Sequence, residues 1–348
     1  MKKFNAILFL FFIVSVCFAQ NKNPTPVTNR QQFASIGDLK LESGKVINDC
    51  RIGYRTHGHL NKDKSNAILF PTWFGGNSKD IEGTNPWPSV DTTRFFLIIV
   101  DALGDGISSS PSNSIKQNGP NFPFFTIRDM VTSQHELLTK KFGITHTYAI
   151  MGISMGGIQT FQWAVSYPGF TDKLIPIVGS PRPSSYDLML YYTLRRAIED
   201  APAFAKGHYK VNPNIVAANM LWELFLTTPE DRVNTMSPGD VPKWMQNTAK
   251  PTVADWNNRY YQLIAIIGHD ISKPFHGSMP QAAAHVKAKM LIINSLHDHM
   301  VNPAPAIEFS KLLPSKLVVL NSNKGHIAFD FSLPEMKDSI VEILREQL

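Results

Sequence analysis

A serine that attacks a carbonyl carbon needs a base to take its proton and a carboxylate to orient that base. Three well-separated residues of this chain offer such a set. Ser154 lies in Met151–Gly157, MGISMGG, which contains the pattern G-x-S-x-G from Gly152 to Gly156. Asp298 lies in NSLHDHM and His326 in NSNKGHIAF, so the order along the chain is serine, aspartate, histidine. The chemistry implied is acyl transfer through a covalent acyl-serine. Its negatively charged intermediate needs two backbone N–H donors. One is expected from Met155, directly after the serine, and the other from Trp73–Asn77, WFGGN. Gly152 and Gly156 flank the serine because side chains there would collide where a strand passes into a helix, and Gly157 extends that clearance.

Other readings of the same residues are weaker. Ser154 could simply cap a helix, but a buried strand before it and a helix after it are the context a strained nucleophile turn requires. His297 and His299 flank Asp298, yet no further ligand cluster accompanies them, so no metal site is expected. Asp270 and Asp330 are rival acids; the first falls in an interrupting segment and the second beyond His326. Among 11 histidines, His326 stands out because it follows the last strand-like run. GGNSKDIEG lacks the spacing of a phosphate loop, and Leu103–Gly106 reads as a turn after a strand. No cofactor is expected.

The elements that must position these residues alternate. FASIGDLKLESG and KVINDCRIGYRTHG suggest an antiparallel pair turning near Ser43 and Gly44. AILFPT (67–72) and FFLIIVDAL (95–103) are short, nearly continuous apolar runs, as in strands covered on both faces. Thr126 and Asp129 open a helix expected to reach about Phe142, with Gly143 as its C-terminal cap. TYAIMGIS, IQTFQWAVSYP and KLIPIVGS (173–180) repeat strand, helix, strand. After an interruption follow KMLIINS (289–295), a helix near Ala304 to Leu313, KLVVLNS (316–322), and a helix from about Pro334 to Leu348. Strands alternating with helices predict an α/β fold with a mostly parallel sheet.

The N-terminus stands apart. MKKFNAILFLFFIVSVCFAQ has Lys2 and Lys3, an uncharged run from Phe4 to Phe18, and small Ala19 as the expected cleavage residue. It reads as a secretory signal, being shorter than the roughly 20 apolar residues that span a bilayer. Cys17 suggests lipid attachment only weakly, since Val16 stands where a small residue is usual. The expected organisation is a signal at 1–19, a leader at 20–32, a core at 33–182 and 287–348, and an inserted helical lid at 183–286. Cleavage would leave Cys50 as the sole cysteine, so stability must come from the core. Of the 348 residues 43% are hydrophobic, enough for a large one. The net charge of +6 is scattered without a long basic run, which argues against nucleic acid as a partner. A small ester or acyl compound is the expected partner, with no stable membrane insertion after cleavage; the apolar lid offers a candidate homodimer surface.

Beyond this reading, PTWFGGNSKDIEG, VDALGDGISSSPSNS, FPFFTIRDMV, GISMGGIQTFQWAVSYP, RRAIEDAPAFAKGHY and NKGHIAF resemble successive landmarks of the homoserine O-acetyltransferase group of α/β-hydrolase-fold enzymes. The resemblance covers about Gly53 to Phe329. It implies Ser154, Asp298 and His326 as a catalytic triad, Phe74 as the second oxyanion donor, and a helical lid. Two departures concern the substrate. Those transferases follow the histidine with an aspartate for the substrate amine, whereas here Ile327 follows. Their lid arginine, which holds the substrate carboxylate, falls in VAANMLWELFL, where Asn219 or Leu221 takes its place. Trp73, Asn219 and Ile327 are therefore candidate pocket residues, and a less charged substrate than an amino acid is expected. Export away from acetyl-CoA favours water as acceptor. The expectation is an exported serine carboxylic ester hydrolase; the alternatives are an O-acyltransferase and a binding protein without chemistry.

Overall fold

The computed structural model describes residues 30–346. The expected signal and nearly all of the leader lie outside the described residues. The chain forms one eight-stranded sheet flanked by helices. β1 (Gln32–Lys40) and β2 (Val46–His57) are the antiparallel pair, and β2 continues antiparallel onto β4 (Phe96–Val100). The remaining neighbours run parallel, in the order β4, β3 (Ala67–Pro71), β5 (Ala149–Ile153), β6 (Lys173–Ile177), β7 (Lys289–Ser295), β8 (Ser315–Leu320). The central runs are apolar at successive positions because both faces are covered. Leu69, Ile98 and Ile150 point into one core, and Ile68, Leu97, Ile99 and Met151 into the other.

Short α1 (Ser78–Gly83) follows β3, and α2 (Ile127–Glu136) follows β4. Thr126 caps α2, with Asp129 returning the hydrogen bond to the cap, as its sequence predicts. The expected single helix to Phe142 instead widens at Leu137 into a π turn, which Gly143 closes at φ 60°. Thr139 Oγ1 donates to the His135 carbonyl at 2.8 Å, competing with the regular ladder at that point. α3 (Met155–Ser166) starts directly after β5 and is buried along nearly its whole length.

Between β6 and β7 the sheet is interrupted by α4 (Ser185–Glu199), α5 (Val216–Leu226), α6 (Pro229–Thr235), α7 (Val241–Thr248), α8 (Trp256–Ile267) and α9 (Met279–His285). α4 packs on α5 and α8, whereas α9 packs on α3 and on α10 (Ala304–Ser310). α10 ends three residues before the expected Leu313. α11 (Pro334–Arg345) covers the second core, with Met336, Ile340 and Leu344 inward. Among the described residues no helix is long and apolar enough to cross a membrane, and Cys50 is a buried free thiol.

The strand order places the chemistry-bearing loops. β3 and β5 are neighbours, yet the chain visits β4 between them, so their C-terminal loops diverge from a switch point where α/β sheets open a crevice. Trp73–Asn77 leaves β3 there, Ser154 leaves β5, and Asp298 and His326 leave β7 and β8 on the same side.

Candidate active site

Ser154 sits at φ 56° and ψ −120°, a conformation that an L-residue adopts only at a cost. Close packing holds it there. A Cβ on Gly152 would lie 2.3 Å from the Gly156 carbonyl oxygen, one on Gly156 would lie 2.4 Å from that of Pro71, and one on Gly157 would lie 2.8 Å from that of Ile177. Each contact is with backbone, so only glycine lets α3 start this close to β3, β5 and β6. Ser154 N–H donates to the Ile177 carbonyl at 2.9 Å, fixing the turn to β6.

Ser154, His326 and Asp298 form one hydrogen-bonded chain. Ser154 Oγ donates to His326 Nε2 at 2.8 Å, and His326 Nδ1 donates to Asp298 Oδ2 at 2.7 Å. This direction follows from the carboxylate, which accepts only and so places the ring proton on Nδ1. The Asp298 side chain is fully buried; its Oδ1 also accepts from the N–H groups of Met300 at 2.8 Å and Val301 at 2.9 Å. The rivals are engaged locally. Asp270 accepts from Ser272 and Asp330 from Ser332, each within its own turn. His297 faces Asn321 and His299 lies edge-on to Tyr186; among the described residues no His, Cys, Asp and Glu group could hold a metal.

The oxyanion donors narrow by elimination. Within Trp73–Asn77, Gly75 N–H donates to Gln262 at 2.8 Å, Gly76 N–H to the Trp73 carbonyl at 3.2 Å and Asn77 N–H to Asp80 at 2.9 Å. The N–H groups of Trp73 and Phe74 have no acceptor among the described residues. Met155 opens α3, so its N–H has no intrahelical partner. A side chain on Gly76 would displace the Trp73 indole, which lies 2.1 Å from its would-be Cβ.

Several positioning residues left no motif in the sequence. Gln262 of α8 accepts from Gly75 and donates to the Leu103 carbonyl at 3.1 Å, tying the loops after β3 and β4 to the inserted helices. Asp187 of α4 accepts from Asn302 N–H at 2.8 Å, and Tyr191 Oη donates to the Met300 carbonyl at 2.8 Å, so α4 holds the Asp298 loop. Burial pushes the Asp187 carboxyl and the Tyr191 phenol above their ordinary pKa values. The only signal for Asp187 was its place in the capping box of α4.

The candidate pocket residues separate. Asn219 is buried on α5, where it lines a cavity of about 410 Å³ with Trp222 and Arg259. Trp222 stacks on Phe74 with ring centroids 4.6 Å apart. Trp73 is half-buried against the second core. Ile327 does not line that cavity; it is 45% exposed in the 3-10 turn Gly325–Ala328.

A family model described as alpha/beta hydrolase fold matches residues 66–333. An ethyl acetate hydrolase from Pseudomonas veronii is 33% identical over 332 residues, covering 91% of this chain and 95% of that protein. A homoserine O-acetyltransferase from Geotalea daltonii is 30% identical, covering 84% of this chain and 90% of that protein. Among solved structures, the acetyl esterase MekB superposes with a TM-score of 0.83 at 32% identity, covering 91% of this chain and 97% of that one.

Proposed function

The chain belongs to the alpha/beta hydrolase fold family and is an enzyme of ester hydrolysis or acyl transfer; on that premise we propose that it is an exported carboxylic ester hydrolase. The observation that carries this reading is the continuous chain from Asp298 through His326 to Ser154, beside unpaired N–H groups. His326 Nε2 takes the Ser154 proton as Oγ adds to the ester carbonyl. The N–H groups of Phe74 and Met155 stabilise the oxyanion. Collapse expels the alcohol, which takes the proton back from His326, and leaves an acyl-Ser154. Water then attacks, giving its proton to His326; the carboxylic acid departs and Ser154 is restored. Asp298 holds the imidazole in the tautomer that can accept from the serine and supports the imidazolium.

Ile327, which follows the histidine, supports water over an amino alcohol as the acceptor. An apolar side chain there offers no counter-charge to the ammonium group of an amino-alcohol acceptor. The N-terminal signal, which sends the enzyme away from acetyl-CoA, supports the same choice. The names of the esterase relatives agree with it. The acyltransferase relatives keep a second reading in view, and one experiment decides between the two. Purified enzyme is given short-chain acetate esters in one assay, and acetyl-CoA with homoserine in another. Rapid ester hydrolysis with negligible transfer is expected; efficient transfer with little hydrolysis overturns the hydrolase reading.

A further inference from the structure

Arg259 lies in the first turn of α8, in WNNRYYQLIAII. Among the described residues its guanidinium makes no hydrogen bond or ion pair, and Nε is buried without an acceptor. The ring of Trp256, 5.3 Å from Cζ, offers a weak contact to this partly buried cation. Burial lowers the Arg259 pKa and the Glu223 carboxylate opposes this, but a guanidinium stays charged in proteins. The residue is partly buried, and its Nε is a donor cut off from both protein and solvent acceptors, one that a ligand oxygen could satisfy.

Its surroundings are cationic and adjoin the catalytic loops. The cavity of about 410 Å³ is lined by Arg259, Arg232 and Lys250 against the single carboxylate of Glu223. Arg232, whose Nε also has no acceptor, is held by Nη2, which donates to the Glu223 carbonyl at 2.7 Å. Arg259 and Gln262, three positions apart, share a face of α8, and Gln262 is the residue that accepts from Gly75. Arg259 Nε lies 3.7 Å from where a Gly75 Cβ would stand. Trp222, on the same cavity wall, stacks on Phe74, and α5 ends against the turn that carries His326.

We propose that Arg259 anchors a carboxylate carried by the substrate, so that the ester bears one negative charge, bound between α5 and α8 beside the Phe74 loop. The proposal rests on the ester-hydrolase reading and sharpens it. In this cavity Arg259, Arg232 and Lys250 outnumber Glu223, so an anion finds more counter-charge there than an amine does. The carboxylate can belong to the acyl part, as in a half-ester of a dicarboxylic acid, or to the alcohol part, as in an acylated hydroxy acid.

Two measurements on the purified enzyme test this. Calorimetric titration with succinate, against succinamide as control, needs no turnover. Wild type is expected to bind succinate, R259Q to bind it at least tenfold more weakly, and R259K, which keeps the charge, to fall between. The second measurement follows acid release from two matched pairs: ethyl hydrogen succinate with ethyl pentanoate, and 3-acetoxypropanoate with its amide. In R259Q, kcat/KM for the acid of one pair should fall roughly ten- to a hundredfold while the neutral partner is unchanged. The pair affected shows which side of the ester carries the carboxylate. Neutral ester turnover without succinate binding, and with unchanged ratios in R259Q, overturns the anion site and leaves the hydrolase standing. Succinate binding lost in R259Q, from a protein that hydrolyses no ester, overturns the hydrolase reading and leaves the anion site. An equal fall for acid and neutral esters assigns Arg259 a structural role and sinks the proposal.

Discussion

At the residue scale the site is a hydrogen-bonded unit, and its parts should fail together. Ser154→Ala is expected to abolish labelling by a fluorophosphonate and to lower kcat by about 10⁴ or more. His326→Ala should cost about as much, and the double variant little more than either alone, because each removes the same proton path. Steady-state kinetics of the three proteins check this; additive losses would mean that the two side chains act separately. This much was legible in the sequence, since serine, aspartate and histidine in that order after successive strands have few other uses. Arg259 was not legible. An arginine in a helix is usually paired or solvated, and only the packed structure shows that no acceptor reaches its Nε.

At the element scale the backbone of the turn depends on space. Gly156→Ala places a Cβ 2.4 Å from the Pro71 carbonyl oxygen, which belongs to β3 and has little freedom to move. A loss of about 2–3 kcal/mol is expected from urea unfolding, with lower activity per folded molecule because β3 leads into the Phe74 loop. Gly169→Ala, where nothing lies within 4 Å of the new methyl group, should be nearly neutral and serves as the control. Equal stability of the two variants would show that the turn can relax. The glycine pattern announced this crowding. The π turn after α2 was not announced, because Thr139 competes for a carbonyl only once the helix has formed.

At the scale of the whole molecule, buried titratable groups set the acid response. His269, just after α8, is buried near Asp270, Lys273 and Arg128, and desolvation lowers its pKa from 6.5 to about 3. The unfolded chain therefore binds a proton that the folded chain refuses. Its contribution to stability is complete above about pH 6.5 and is lost as pH falls toward 3, by at most about 1.4 kcal/mol per pH unit. Asp101, Asp105, Asp129 and Asp187 work in the opposite sense. Burial raises each of them, so their contribution is greatest at low pH and is lost as pH rises through their folded values. Urea unfolding of His269→Gln across pH 4 to 7 should show a shallower acid loss than wild type; parallel curves would exclude a buried neutral His269. By itself the sequence determined the alternation of strands and helices, the serine turn with its glycines, and the order of the three polar residues, because these follow from local periodicity and residue chemistry. Only the tertiary structure decided which N–H groups remain unpaired, which helix steadies the Phe74 loop and which cation lacks a partner. Gly75 and Gln262 are 187 positions apart, and their hydrogen bond arises only when the inserted helices fold back over the sheet.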